Sequence, residues 1–214
     1  MLRFISLNLT LLNMKYSSEK RAGALIFIGA AQFILCLIVA ESLYPNYSIS
    51  ENYISDLGVG PSAYIFNSSV FLLGLAAVLS AYYLRCAVSQ KMFKIFLWLC
   101  GIGAMGVGLF TENFGIIHTV FSLLAFLFGA LSAVASYKIQ RFPLSYIAVA
   151  LGLFSIGALV LFAVSEYFFH AYSSSFLYLG LGKGGMERLI AYPILLWSLG
   201  FGGHLIGQPE NFNN

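Results

Sequence analysis

Six apolar stretches, each close to the length of a bilayer crossing and joined by short polar connections, constrain this chain more than any single motif. A helix rising 1.5 Å per residue needs about 20 mostly apolar residues to cross a hydrocarbon core about 30 Å thick. The stretches fall at about 21–43, 61–84, 95–112, 114–137, 144–169 and 186–207. Only 9% of the residues are charged and 60% are hydrophobic, whereas soluble domains carry about 25% charge. The fold expected is therefore all-α, an integral membrane bundle of six transmembrane helices. Residues 1–20 form an N-terminal segment ahead of it and 208–214 a short polar tail. The leucine-rich patch in Met1–Asn13 is too short to span and no small-residue cleavage site follows it, so it reads as a surface helix or an upstream start rather than a signal peptide.

Charge sets the orientation. The N-terminal segment and the second and fourth connections hold nine of the eleven Lys and Arg residues, and six of the eight acids lie at the opposite ends of the spans. The positive-inside rule then places both termini in the cytoplasm and the acidic connections outside, in the cell membrane. Cys36, Cys86 and Cys100 lie in or beside apolar runs with no CxxC spacing, which argues against a disulfide framework or a thiolate metal site.

The most informative connection is Tyr44–Asn67, YPNYSISENYISDLGVGPSAYIFN, with Glu51, Asp56, several serines and a Gly58/Gly60/Pro61 turn. A shift of 125 residues lays it on a second stretch and aligns Glu41 with Glu166, Tyr47 with Tyr172, Ser48 with Ser173, Ser50 with Ser175, Tyr53 with Tyr178, Gly60 with Gly185 and Ile65 with Ile190. The match suggests a parallel repeat in which two helix pairs, each capped by a tyrosine- and serine-bearing loop, flank the third and fourth spans. Convergent interfacial composition is the alternative. GIGAMGVG at Gly101–Gly108 and the Gly203/Gly207 pair lie inside spans, where glycine serves close helix packing rather than a phosphate loop.

Ionisable groups are costly at membrane depth, about 2.5–3.5 kcal/mol at the centre of a span, and need partners or water. Here Glu41, Asp56, Glu112, His118, Glu166, His170, Glu187 and Arg188 all fall near the outward ends. Glu166 and His170 share a face if their helix continues that far. An acid suits the start of the sixth helix, but Arg188 opposes the dipole there and should answer Asp56, Glu112 or an anionic ligand. Three readings fit this cluster. One is a network of ion pairs that closes the bundle. A second is a headgroup or anion site in which Gly180, Gly182, Gly184 and Gly185 surround Lys183 ahead of a helix N-terminus. The third is catalysis by Asp56 and His118, or a metal held by His118, His170 and Glu166. A three-histidine zinc site is excluded by length, since His204 lies about 24 Å below Arg188 along a helix. No cofactor motif is present.

The stretches ISDLGVGPSAYIFN, IHTVFSLLAFLFG and GMERLIAYPILLW resemble the prokaryotic multi-pass membrane family known as domain of unknown function 998. More remotely the chain is similar to the Frag1/DRAM/Sfk1 group. The resemblance covers nearly everything from Arg21 onward and implies a six-span bundle. The remote group is associated with membrane-lipid handling, which implies a lipid-facing role and points to Ser55, Asp56, Gly58, His118, Glu187 and Arg188. The paired late histidines of the intramembrane hydrolases that include ceramidases are missing here. Taken together, the ligand-binding residues expected are Ser55, Asp56, Glu112, His118, Glu166, His170, Lys183, Glu187 and Arg188. The partners expected are membrane lipids and no nucleic acid, with a homo-oligomer compatible with the glycine pairs.

Overall fold

The computed structural model describes residues 18–84, 90–168 and 178–208. Six long helices account for most of them: α1 Ser18–Leu43, α2 Ala63–Tyr83, α3 Lys91–Leu109, α4 Ile116–Ala135, α5 Leu144–Phe168 and α6 Gly182–Ile206. All six are long and apolar enough to cross a membrane. Large aliphatic residues such as Ile28, Leu35, Leu72, Ile102, Val120, Leu153 and Leu196 point outward along them. An exterior this apolar is stable only against hydrocarbon.

Each helix packs on the next, and α6 closes the ring by meeting α1, while also reaching across to α4. Small residues set the spacing. A Cβ added to Gly23 of α1 would lie 2.7 Å from the Gly202 carbonyl of α6, and the reverse substitution meets the Gly23 carbonyl at the same distance. Gly74 and Gly101 bring α2 against α3 in the same reciprocal way. Gly103, Gly106 and Gly108 also touch neighbouring helices, as expected of the glycine run in α3. The Gly203/Gly207 pair does not pack inside this chain. Gly203 faces open space, and the contact it was expected to make belongs to Gly202, one position round the helix.

Between the helices, serine hydroxyls donate to carbonyls of neighbours: Ser80 to Ala22 at 2.9 Å and Ser155 to Ile190 at 2.8 Å. The second bond lies beside Pro193, which stands inside α6 and has no amide to offer the carbonyl of Leu189. Among the described residues three apolar clusters pack the ring, one around Phe93, Trp197 and Phe201, a second around Phe33, Leu57 and Phe66, and a smaller one of Ala158, Leu159 and Ile190.

Helix boundaries differ from the expected spans where polar residues meet the ends. α6 starts at Gly182, four residues before Met186, so the glycine-rich run is its first turn. Glu112 is not part of α3 but sits in a short turn, Glu112–Phe114, that leads through Gly115 into α4.

Candidate functional site at the acidic end of the bundle

The loop from Tyr44 to Ser62 folds over the end of the bundle and is tied down by its own side chains. Asn52 Oδ1 accepts the Ser48 amide at 3.0 Å, while Asn52 Nδ2 and the Tyr53 amide both donate to Asp56 Oδ2 at 3.0 Å. The turn Ser55–Gly58 follows, and Asn67 Nδ2 anchors it by donating to the Gly58 carbonyl at 2.9 Å. Gly60 carries the Tyr44 ring so closely that a Cβ would fall 1.9 Å from it, which is why a glycine stands there.

The start of α6 meets this loop directly. The Gly184 amide donates to the Ser50 carbonyl at 2.8 Å, and the Ser50 hydroxyl donates to the Leu181 carbonyl at 2.7 Å. A side chain at Gly184 would strike the Asn52 carbonyl at 2.0 Å. These glycines therefore admit a protein backbone, not a phosphate. Lys183, expected to assist an anion, lies with its ammonium 4.4 Å from the centre of the Tyr53 ring.

Arg188 is 5% exposed and engaged with the protein. It donates through Nη2 to Glu41 Oε1 at 2.6 Å and Tyr47 Oη at 2.7 Å, and through Nη1 to the carbonyls of Ile49, Asn52 and Gly184 at 3.0, 3.3 and 3.0 Å. Its carboxylate partner is Glu41, at the far end of α1, and not Asp56 or Glu112. Burial pushes the Tyr47 hydroxyl up to about 12 despite the nearby guanidinium, so it remains a hydroxyl.

Glu187 turns the other way. Its Oε2 accepts the Ile54 amide, and the side chain lines a cleft of about 910 Å³ between α4 and α5. Ser55, Glu112, His118 and Glu166 line the same cleft, together with Leu123, Phe126, Leu159 and Phe162. Glu166 Oε1 accepts the hydroxyls of Tyr53 at 2.9 Å and Tyr178 at 2.7 Å. Burial, together with Glu166, raises the Tyr178 hydroxyl to about 12 and holds Tyr53 above the usual tyrosine range. Both therefore donate throughout the physiological range.

His118 is buried one turn into α4, and its Nδ1 stands 2.8 Å from the Phe110 carbonyl. A carbonyl only accepts, so Nδ1 carries a proton, and in the neutral ring Nε2 is the acceptor. Glu112 faces Asp56 across the contact between the turns Ser55–Gly58 and Glu112–Phe114. Burial first, then the hydrogen bond and charge of Asp56, raise the Glu112 carboxyl to about 7, against the opposing pull of Lys183. Glu112 Oε2 is buried and makes no hydrogen bond.

Of the nine expected residues, Ser55, Glu112, His118, Glu166 and Glu187 share the cleft. Asp56 supports it through Glu112, Lys183 stands behind Tyr53, and Arg188 faces the other side of α6. His170 lies outside the described residues. Sequence reasoning missed Glu41 as the arginine's partner, and also Ser122 and Phe126 in the cleft wall. The signal for the last two was the i, i+4, i+8 spacing of His118, Ser122 and Phe126 on one face of α4. No group of three metal-ligating side chains occurs among the described residues.

The fold and its acidic end define a multi-pass helical membrane protein. The chain belongs to the family described as protein of unknown function DUF998, whose model matches residues 27–204 and so includes all six helices and the cleft. No curated protein and no solved structure matches it.

Proposed function

We propose that this protein binds a membrane lipid, with the headgroup in the outward-facing cleft between α4 and α5. The observation that carries this reading is the graded wall of the cleft. Glu112, His118, Glu166 and Glu187 lie near the helix ends, and Leu123, Phe126, Leu159 and Phe162 follow about one to two turns deeper along α4 and α5. A site with a polar rim and an apolar flank at that depth suits a molecule lying in the membrane interface. The imidazole Nε2 and the carboxyls offer acceptors, so the headgroup contacts come from hydroxyl or ammonium donors. Arg188, held through both terminal nitrogens by Glu41, Tyr47 and three carbonyls while its buried Nε makes no hydrogen bond, acts as a fastener for the loop over α6 and leaves the cleft without a guanidinium.

The test is mass spectrometry of lipids retained on purified protein, comparing wild type with His118→Ala and Glu187→Gln after gel filtration has established that each variant is folded. Loss of one lipid class from both variants is the expected result. Identical retention in all three proteins would sink the reading.

A further inference from the structure

A second cavity explains what kind of lipid the cleft would take. A slot of about 110 Å³ runs through the interior of the ring, and Ser55, Ser122, Phe126 and Glu187 belong to its wall as well as to the wall of the cleft. The two spaces therefore meet at these four side chains. Along α6 the slot extends from Glu187 to Ser198, eleven residues or about 16 Å, which is roughly half the hydrocarbon thickness of a bilayer. Small residues on its wall leave it room: Ala77 on α2, Ala104 on α3, Ala125 on α4 and Ala191 on α6. The Ser198 hydroxyl, at the deep end, donates to the Ile194 carbonyl at 2.8 Å, so its hydrogen is already engaged within the helix. Apolar cavities of this order, up to about 150 Å³, stay dry and admit hydrocarbon guests.

At the mouth acids prevail. Among the described residues Glu112, Glu166 and Glu187 line the cleft and no lysine or arginine does, Lys183 acting on Glu112 from its place on the Tyr53 ring, and the buried Oε2 of Glu112 has no hydrogen-bond partner. A carboxylate offers about four acceptor positions, so Glu187 keeps capacity beyond the Ile54 amide. We propose that cleft and slot form one site for an amphiphile with an unbranched alkyl chain and an amine headgroup, the chain threaded into the slot and the ammonium held by Glu112 and Glu187. The proposal rests on the lipid-binding reading and deepens it. A carboxylate, phosphate or sulfate headgroup would instead be repelled by the acids.

Trp197 lines the deep end of the slot and is 3% exposed, whereas the second tryptophan, Trp98, faces outward at 46%. Trp98→Phe therefore leaves a single fluorophore at the slot. In phosphatidylcholine vesicles at pH 7, terminally brominated dodecylamine should quench Trp197 in a saturable manner, and terminally brominated dodecyl phosphate should give only a weak linear effect. Adding Ala104→Leu fills the slot and should remove the saturable part, with circular dichroism reporting that the helices are intact. Adding Glu112→Gln should raise the half-saturating amine concentration about tenfold, the loss of one charged hydrogen bond. Equal quenching by amine and phosphate overturns the headgroup assignment. Lack of saturable quenching by either overturns the threaded chain. If lipids are still lost from the His118 and Glu187 variants in that case, the cleft reading stands without the slot. Unchanged lipid retention as well would remove both.

Discussion

Glu187 and Arg188 are adjacent in the first turns of α6 and both are buried, yet they serve opposite halves of the molecule. Arg188 points to α1 and the outer loop, where every bond it makes is to protein. Glu187 points to α4 and α5, where a cleft and a slot meet at its side chain. The same contrast holds at the ends of α1 and α5. Glu41 is paired with a guanidinium at 2.6 Å, and Glu166 accepts the hydroxyls of Tyr53 and Tyr178. The difference teaches that α6 divides the bundle into a fastened side and an open side. Helix burial follows the same line, with 56% of the α6 span inside the protein and only 22% of the α5 span.

The largest effect should come from unfastening the first side. Arg188→Met takes the guanidinium from a mostly buried Glu41 and from the carbonyls of Ile49 and Asn52, and thermal unfolding should show a loss of about 3–5 kcal/mol. Arg188→Lys should recover little, because one ammonium cannot span two side chains and three carbonyls. A loss as small as that of a surface substitution would break the comparison. Next in size is Gly184→Ala, which forces α6 away from the Asn52 carbonyl and should cost about 1–3 kcal/mol. Its control, Gly203→Ala in open space, should be neutral or stabilising by up to about 1 kcal/mol.

The open side should reveal itself through pH. The Glu112 carboxyl is raised from 4.5 to about 7 when folded, so the unfolded chain ionises first as pH rises. Stability should therefore fall between pH 4.5 and about 7 and level off above, while Glu112→Gln flattens that slope. The amplitude should be on the order of 1 kcal/mol, since water reaching a half-open carboxyl screens the rest. The smallest effect expected is that of Tyr178→Phe. Glu166 keeps the Tyr53 hydroxyl, and the loss should be about 0.5–1.5 kcal/mol by chemical denaturation.

Of the residue pairs 125 positions apart, Tyr53 and Tyr178 meet in space, both donating to Glu166, whereas Glu41, the counterpart of Glu166, pairs with Arg188. The counterparts Tyr172, Ser173 and Ser175 lie outside the described residues. The gathering of acids and His118 at one end could be read from charge counting along the spans. Arg188 was legible as a residue in need of a partner. That its partner is Glu41 was not, because the two are 147 positions apart and only the folding of the outer loop over α6 brings them together. The glycine run around Lys183 misled for a related reason. In sequence a glycine at a helix start looks alike whether a phosphate or a carbonyl is to approach, and here the carbonyls of Ser50 and Asn52 occupy the space.

By itself the sequence determined that six helices cross a membrane and that their acids collect at one end. Both follow from local quantities, the length of an apolar run and the cost of a charge at depth. Only the tertiary structure decided which of those charges are neutralised and which line a cavity. That depends on the rotation of each helix about its own axis, which a sequence apolar on nearly every face does not encode. Small residues at the α1–α6 and α2–α3 seams set those rotations, turning Arg188 to the loop and Glu187 to the cleft.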